Sequence, residues 1–154
     1  MRIANDADWR AYHDIRRLVL WEERGLSGYD ANRPEERLPD HHLLLLRFNA
    51  QACGTTRLDD LRDGTGIVRL VAVSANLRRS GHGRVLDARV AAYAGKLGIH
   101  TLFVNSAPDA VGFYTATGWE RSESYRPQAL ERTDECVPMR KTILPDRKYK
   151  QPPG

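Results

Sequence analysis

Ile67-Val68-Arg69-Leu70-Val71-Ala72-Val73-Ser74-Ala75-Asn76-Leu77-Arg78-Arg79-Ser80-Gly81-His82-Gly83-Arg84-Val85-Leu86 divides into three parts. The first half is rich in β-branched residues and predicts a strand over Ile67–Ser74. A loop follows with two glycines one residue apart and three arginines around them. A helix is then expected from about Gly83, with Leu86, Val90, Tyr93 and Leu97 at helical spacing and Gly98 as its stop. A helix start offers backbone N–H groups and the positive end of the dipole, and glycine lets an anion come close to the backbone. Arg78, Arg79 and Arg84 add full charges. The corner is an anion site in prospect.

Two common phosphate loops are excluded. No GxxxxGK[ST] string occurs, and the dinucleotide pattern GxGxxG fails because Leu86 stands where the third glycine belongs.

The strand predicted over His100–Asn105 completes a parallel crossover unit with Ile67–Ser74. Upstream, Met1–Ala4 is expected as a short strand. Asp6 would cap a helix from about Ala7 to Glu23 whose inner face is Ala11, Ile15, Leu18 and Val19. A short helix around Pro34–Leu38 would start on proline. His42–Phe48 and Ala52–Leu58 form a hairpin across Asn49-Ala50-Gln51, and Gly54 marks a bulge or a close backbone approach. Downstream come a short helix over Pro108–Thr117 and strands over Trp119–Tyr125 and Cys136–Leu144. Residues 145–154 hold three prolines and basic side chains, and are expected as a tail after a single domain over 1–144.

At 154 residues the chain suits one domain with a real core. It has no apolar run long enough to span a membrane and no signal-like apolar start, so a cytoplasmic protein is expected. Cys53 and Cys136 form no CxxC and are expected as free thiols. The net charge of +4 comes from scattered residues, with no basic face interleaved with aromatics, which argues against a nucleic-acid binder. One segment stands apart. Between Glu22 and Asp40, six acids against three arginines give −3, leaving +7 for the rest of the chain.

Arg78-x-x-Gly81-x-Gly83 resembles the (Q/R)xxGx(G/A) signature of the GCN5-related N-acetyltransferase family. Asn105-Ser106-Ala107-Pro108-Asp109-Ala110-Val111-Gly112-Phe113-Tyr114-Thr115-Ala116-Thr117-Gly118-Trp119 is similar to that family's N-x-x-A-x-x-F-Y-x-x-x-G-(F/W) block. Gly54-Thr55-Thr56-Arg57-Leu58 resembles its third strand, and Ile15-Arg16-Arg17 through Gly25 the first helix of small bacterial members. The order of elements agrees over nearly the whole chain.

The resemblance implies an α/β fold with a mixed, mostly antiparallel sheet of about seven strands, flanked by helices. The strands Ile67–Ser74 and His100–Asn105 would splay into a V that holds acetyl-CoA. Val71, Ala72 and Val73 would line the pantetheine arm, with backbone groups of Val71 and Val73 pairing as an added strand would. The loop Arg78, Arg79, Ser80, Gly81, His82, Gly83 and Arg84 would hold the pyrophosphate, and Asn105 and Tyr114 would sit near the thioester. His82 stands where the family commonly has an apolar residue, and is expected as a satisfied, partly buried histidine.

The reaction implied is acyl transfer to a primary amine of a small molecule or peptide. Tyr114 would be the general acid, since a free phenol, with pKa about 10, can protonate a thiolate. A strand N–H near Val73 would bind the oxyanion. The strand before the glycine loop carries no carboxylate to act as base. Glu23, Asp60, His42 and a water chain to solvent all remain open for that role. No metal is implied: His41 and His42 are adjacent on a strand and point to opposite faces. The acidic segment falls where the family places the acceptor wall, and favours a cationic acceptor. A homodimer is one arrangement the family implies. A degenerate, CoA-sensing relative without turnover is the alternative function.

Overall fold

The computed structural model describes residues 2–25, 28–74, 81–122 and 136–144. Among them six strands form one mixed sheet: β1 (His41–Phe48), β2 (Gln51–Asp60), β3 (Thr65–Val73), β4 (Thr101–Ser106), β5 (Glu120–Arg121) and β6 (Val137–Thr142), in the spatial order β1-β2-β3-β4-β6-β5. The β3–β4 pair is parallel, and the pairs β1–β2, β4–β6 and β5–β6 are antiparallel. Of the strand expected over Met1–Ala4 the described residues show one bridge, Arg2 to Leu44, so six strands of the expected mixed sheet stand among them. The helices are α1 (Asp6–Arg16), α2 (His82–Lys96) and α3 (Val111–Ala116). The chain divides into two compact units, Met1–Asp59 with Leu70–Val90, and Asp60–Arg69 with Ala91–Gly154.

In the first unit Asn5, not Asp6, caps α1: its side chain accepts from the Asp8 N–H at 2.8 Å. The α-helix stops at Arg16 and continues as a π-helical turn, Arg17–Trp21, and a 3-10 turn, Glu22–Arg24, before left-handed Gly25. The extra residue in that turn brings Leu20 inward, while Ala11, Ile15 and Val19 keep the expected face. Leu18, expected inside, is 46% exposed, whereas Tyr12, His13 and Arg16 are buried. Tyr12, Ile15, Leu20, Leu43, Leu45 and Ala72 form the core here, with Trp9 and Trp21 against it. Leu43 to Leu46 are all buried, as a strand covered on both faces requires. Each such leucine stabilises the fold by about 1.5–3 kcal/mol.

The β1–β2 turn is a two-residue loop with φ 49° at Asn49 and 64° at Ala50, the type I′ geometry whose twist matches the strands. Both expectations for Gly54 hold. The register slips between Leu46 and Arg47, leaving Cys53 as the extra residue beside it. A Cβ at Gly54 would also lie 3.3 Å from the Ala72 carbonyl oxygen and 3.3 Å from Leu86 Cδ2. So glycine lets β2 close onto β3 and the first turns of α2. Cys53 and Cys136 are free, the first buried.

In the second unit α2 ends in a Schellman motif. Gly98 has φ 81°, its N–H donates to Gly95, and the Ile99 N–H donates to Ala94 at 3.1 Å. Leu102, Val104, Met139, Trp119 and Tyr114 are buried. The strand expected over Trp119–Tyr125 is only Glu120–Arg121 among the described residues. The tail over 145–154 lies outside them.

Candidate active site

In the first unit the candidate site is built on the second half of β3 and the start of α2. The β3–β4 register runs from Thr65↔Thr101 to Val68↔Val104, and both strands continue past its last pair. Two residues on, Leu70 has φ 54°, a left-handed backbone inside a strand. That conformation costs on the order of 1–3 kcal/mol for a branched side chain, and such sites cluster where backbone groups are being re-aimed. Val71, Ala72 and Val73 follow, Ala72 buried and the two valines half-buried. The Ser74 N–H donates to the Cys53 carbonyl at 2.9 Å, tying the end of β3 to β2.

Arg78, Arg79 and Ser80 lie outside the described residues. Gly81 has φ 82°, and nothing lies within 4 Å of the place a Cβ would take. α2 begins at the next residue, and its first bond is Val85 N–H to the Gly81 carbonyl at 3.1 Å. The helix start is thus preceded by a position with clear space beside its backbone, a combination that suits a phosphate-bearing ligand. His82 is buried and packs edge-on against Phe48, ring centroids 4.9 Å apart. Gly83 is half-buried and Arg84 exposed.

A buried charged cluster between α1, the 3-10 turn Pro34–Arg37 and β2 escaped the sequence reading. Glu36 takes an ion pair from Arg16 and a second from Arg57 at 3.4 Å. Arg57 also forks onto Asp59, Nε to Oδ1 at 2.8 Å and Nη2 to Oδ2 at 3.0 Å. Tyr12 hydroxyl accepts from Arg16. His13 Nδ1 is hydrogen-bonded to the Tyr29 hydroxyl, and its ring touches Trp9 and Tyr12. Burial, then the charges of Arg16 and Arg37, pushes the His13 pKa down to about 4. Burial likewise raises the Tyr12 and Tyr29 phenols and lowers Arg16. The only sequence signals were Arg16 at i+4 from Tyr12 on α1 and Arg57 in the Gly54–Leu58 pattern.

The base candidates differ in setting. Glu23 is exposed on the 3-10 turn Glu22–Arg24, Asp60 is half-buried at the end of β2, and His42 is buried in β1. His41 faces Asp59 at 3.6 Å and the Glu35 carbonyl at 2.5 Å. Among the described residues no group of His, Cys, Asp and Glu could hold a metal ion. None of their helices is long and apolar enough to cross a membrane.

In the second unit Asn105 sits near the end of β4, opposite Pro138 of β6. Tyr114 is 7% exposed in α3. Its ring meets Phe113 and Trp119 edge-on, at 5.3 Å and 5.4 Å, and its carbonyl accepts the Trp119 N–H at 2.9 Å.

Solved structures share this fold. An acyl-CoA N-acyltransferase from Pseudomonas aeruginosa aligns at TM-score 0.73 with 20% identity, over 90% of this chain and 92% of that one. The ribosomal-protein-S18-alanine N-acetyltransferase from Escherichia coli aligns at 0.71 with 16% identity, over 97% and 96%. An aminoglycoside 6′-N-acetyltransferase complexed with coenzyme A aligns at 0.72 with 16% identity, over 96% and 98%. No curated protein matches by sequence at a significant level. The model of the acetyltransferase (GNAT) domain matches residues 25–143, and the chain belongs to that family.

Proposed function

We propose that this GNAT domain transfers an acetyl group from acetyl-CoA to a primary amine of a small molecule or peptide. The observation that carries the reading is the β3–α2 corner, where a left-handed Gly81 with clear space beside it immediately precedes a helix start. In this reading Gly81, His82, Gly83 and Arg84, with Arg78, Arg79 and Ser80, hold the pyrophosphate. Val71, Ala72 and Val73 offer strand backbone to the pantetheine arm, and Asn105 helps to hold the thioester end. The amine attacks the thioester carbon, and the acetyl–sulfur bond breaks. Tyr114 gives its phenolic proton to the departing thiolate. Glu23, exposed and carboxylate-bearing, takes the proton that the amine must lose.

Tyr114→Phe tests the acid. The ring and its contacts stay, and the proton donor goes. Turnover should fall by roughly 10²–10⁴ while acetyl-CoA affinity, measured by calorimetry, stays near that of the parent. Parental turnover in the variant, with chemistry shown to be rate-limiting, would reduce Tyr114 to a packing residue. Absence of acetyl-CoA turnover in the parent against a broad amine panel, with binding intact, would favour a CoA sensor.

A further inference from the structure

A cavity of about 160 Å³ in the first unit is lined by Arg2, Asp8, Leu45, Leu46, Arg47 and Arg89. It brings together the N-terminal segment, the first turn of α1, β1 and the middle of α2. Its volume is many times the roughly 10–15 Å³ needed to admit one water.

The charges do not balance inside it. Asp8 is the one carboxylate, and both its oxygens are engaged: Oδ1 by Arg47 and Oδ2 by the Ala4 N–H at 3.0 Å. The Ala4 N–H and Arg47 hold its carboxyl below the usual range, so it stays ionised and neutralises one arginine. The guanidinium groups of Arg2 and Arg89 have no ion-pair or hydrogen-bond partner among the described residues, the bridge of Arg2 to Leu44 being one of backbone. Three guanidiniums against one carboxylate leave two positive charges over a floor of two buried leucines. Such a floor lowers the local dielectric and strengthens attraction for an anion.

We propose that this cavity binds a phosphate-class dianion, as free phosphate or as the phosphate of a small monoester. Two surplus charges match a dianion better than a carboxylate, and guanidinium forks suit phosphate oxygens. A volume of about 160 Å³, open to solvent on its arginine side, suits a headgroup and not a polymer. The site is separate from the start of α2: Arg89 lies two turns beyond His82, about 10 Å along the axis. The inference does not depend on the acetyl-transfer reading.

The test titrates the full chain with inorganic phosphate, glycerol phosphate, acetate and chloride at matched ionic strength, by calorimetry and thermal unfolding. Phosphate should bind saturably and raise the midpoint, whereas acetate and chloride should not. Arg89→Gln should weaken phosphate binding by about tenfold or more, and Arg2→Gln with Arg89→Gln should abolish it. Arg84→Gln, at the start of α2, touches only phosphate held at that loop, and should leave intact the class of binding that the double variant loses. Circular dichroism confirms that the variants fold. Glycerol phosphate binding more tightly than phosphate identifies a monoester as the ligand, and equal or weaker binding identifies the free ion. The proposal fails if phosphate acts no differently from chloride, if the double variant binds phosphate as the parent does, or if Arg84→Gln removes the same class of binding that the double variant loses.

Discussion

His13 is 3% exposed, with one ring nitrogen on the Tyr29 hydroxyl and Nε2 without a protein partner among the described residues. Its pKa of about 4 in the folded chain lies below the ordinary histidine value of 6.5. Between those values the unfolded chain takes a proton that the folded chain refuses. Stability is therefore level above about pH 6.5 and falls as pH drops toward 4, by at most about 1.4 kcal/mol per pH unit. Arg16 and Arg37 oppose the imidazolium, and Tyr29, Trp9 and Tyr12 give it no counter-charge. Urea unfolding of the parent and His13→Asn at several pH values checks this. The variant should lose most of the slope between pH 6.5 and 4, and equal slopes would place the acid sensitivity elsewhere. The lowered carboxylates Asp8 and Asp63 lose their contribution only as pH falls below about 4, outside this window. Single residues differed in legibility. Gly54 and Gly98 were readable because only glycine suits a close approach or a left-handed stop. His13 was not, because what covers it includes Tyr29, 16 residues further along the chain, which no local pattern carries.

The inner face of the first helical segment belongs to the elements. Periodicity predicted a regular helix to Glu23, but the π-helical turn Arg17–Trp21 shifts the helix face by one residue and turns Leu18 outward. The compensating force is long-range. Glu36 reaches in from its 3-10 turn to Arg16 on α1 and to Arg57 on β2, and only the folded sheet brings those three together. Strands, the proline-led turn and α2 were legible because each is specified locally, by β-branched runs, caps and glycines. The cluster's charge pairing was not, since the pairs span 20 and 21 residues, Arg16 to Glu36 and Glu36 to Arg57. Glu36→Gln keeps the shape and removes the charge facing two buried arginines. Arg57 retains Asp59, but Arg16 loses its carboxylate. Breaking a buried pair from one side costs about 3–5 kcal/mol, and the urea midpoint should fall accordingly. Replacing Glu120, whose pair with Arg140 is exposed, should cost less than about 1 kcal/mol. Equal costs for the two would mean that the buried cluster is no more than a surface pair in its effect.

For the whole molecule the separation of charge along the chain now has a narrower meaning. The −3 of residues 22–40 counted Glu36, whose charge is spent on Arg16 and Arg57 and is not presented outward. Glu22 and Glu23, at the end of the first helical segment, and Glu35 are exposed. Glu22 faces Arg17 at 3.5 Å across an exposed pair, which screens weakly and competes little with a ligand. We therefore keep the proposal of a cationic acceptor and rest it on these three glutamates. Charge of one sign at a binding wall concentrates ligands of the other, and salt weakens the effect over a Debye length of about 8–10 Å. An acceptor panel of polyamines, aminoglycosides, basic peptides and neutral or acidic amines, run at 50 mM and 300 mM salt (roughly 14 and 6 Å of screening), measures it. Cationic acceptors should give the higher kcat/KM, with KM rising at high salt. Glu22→Gln with Glu35→Gln, which leaves the proposed base in place, should raise KM at low salt and flatten the salt dependence. A preference for uncharged or acidic amines, indifferent to salt, would reject a cationic acceptor while leaving acetyl transfer itself untouched.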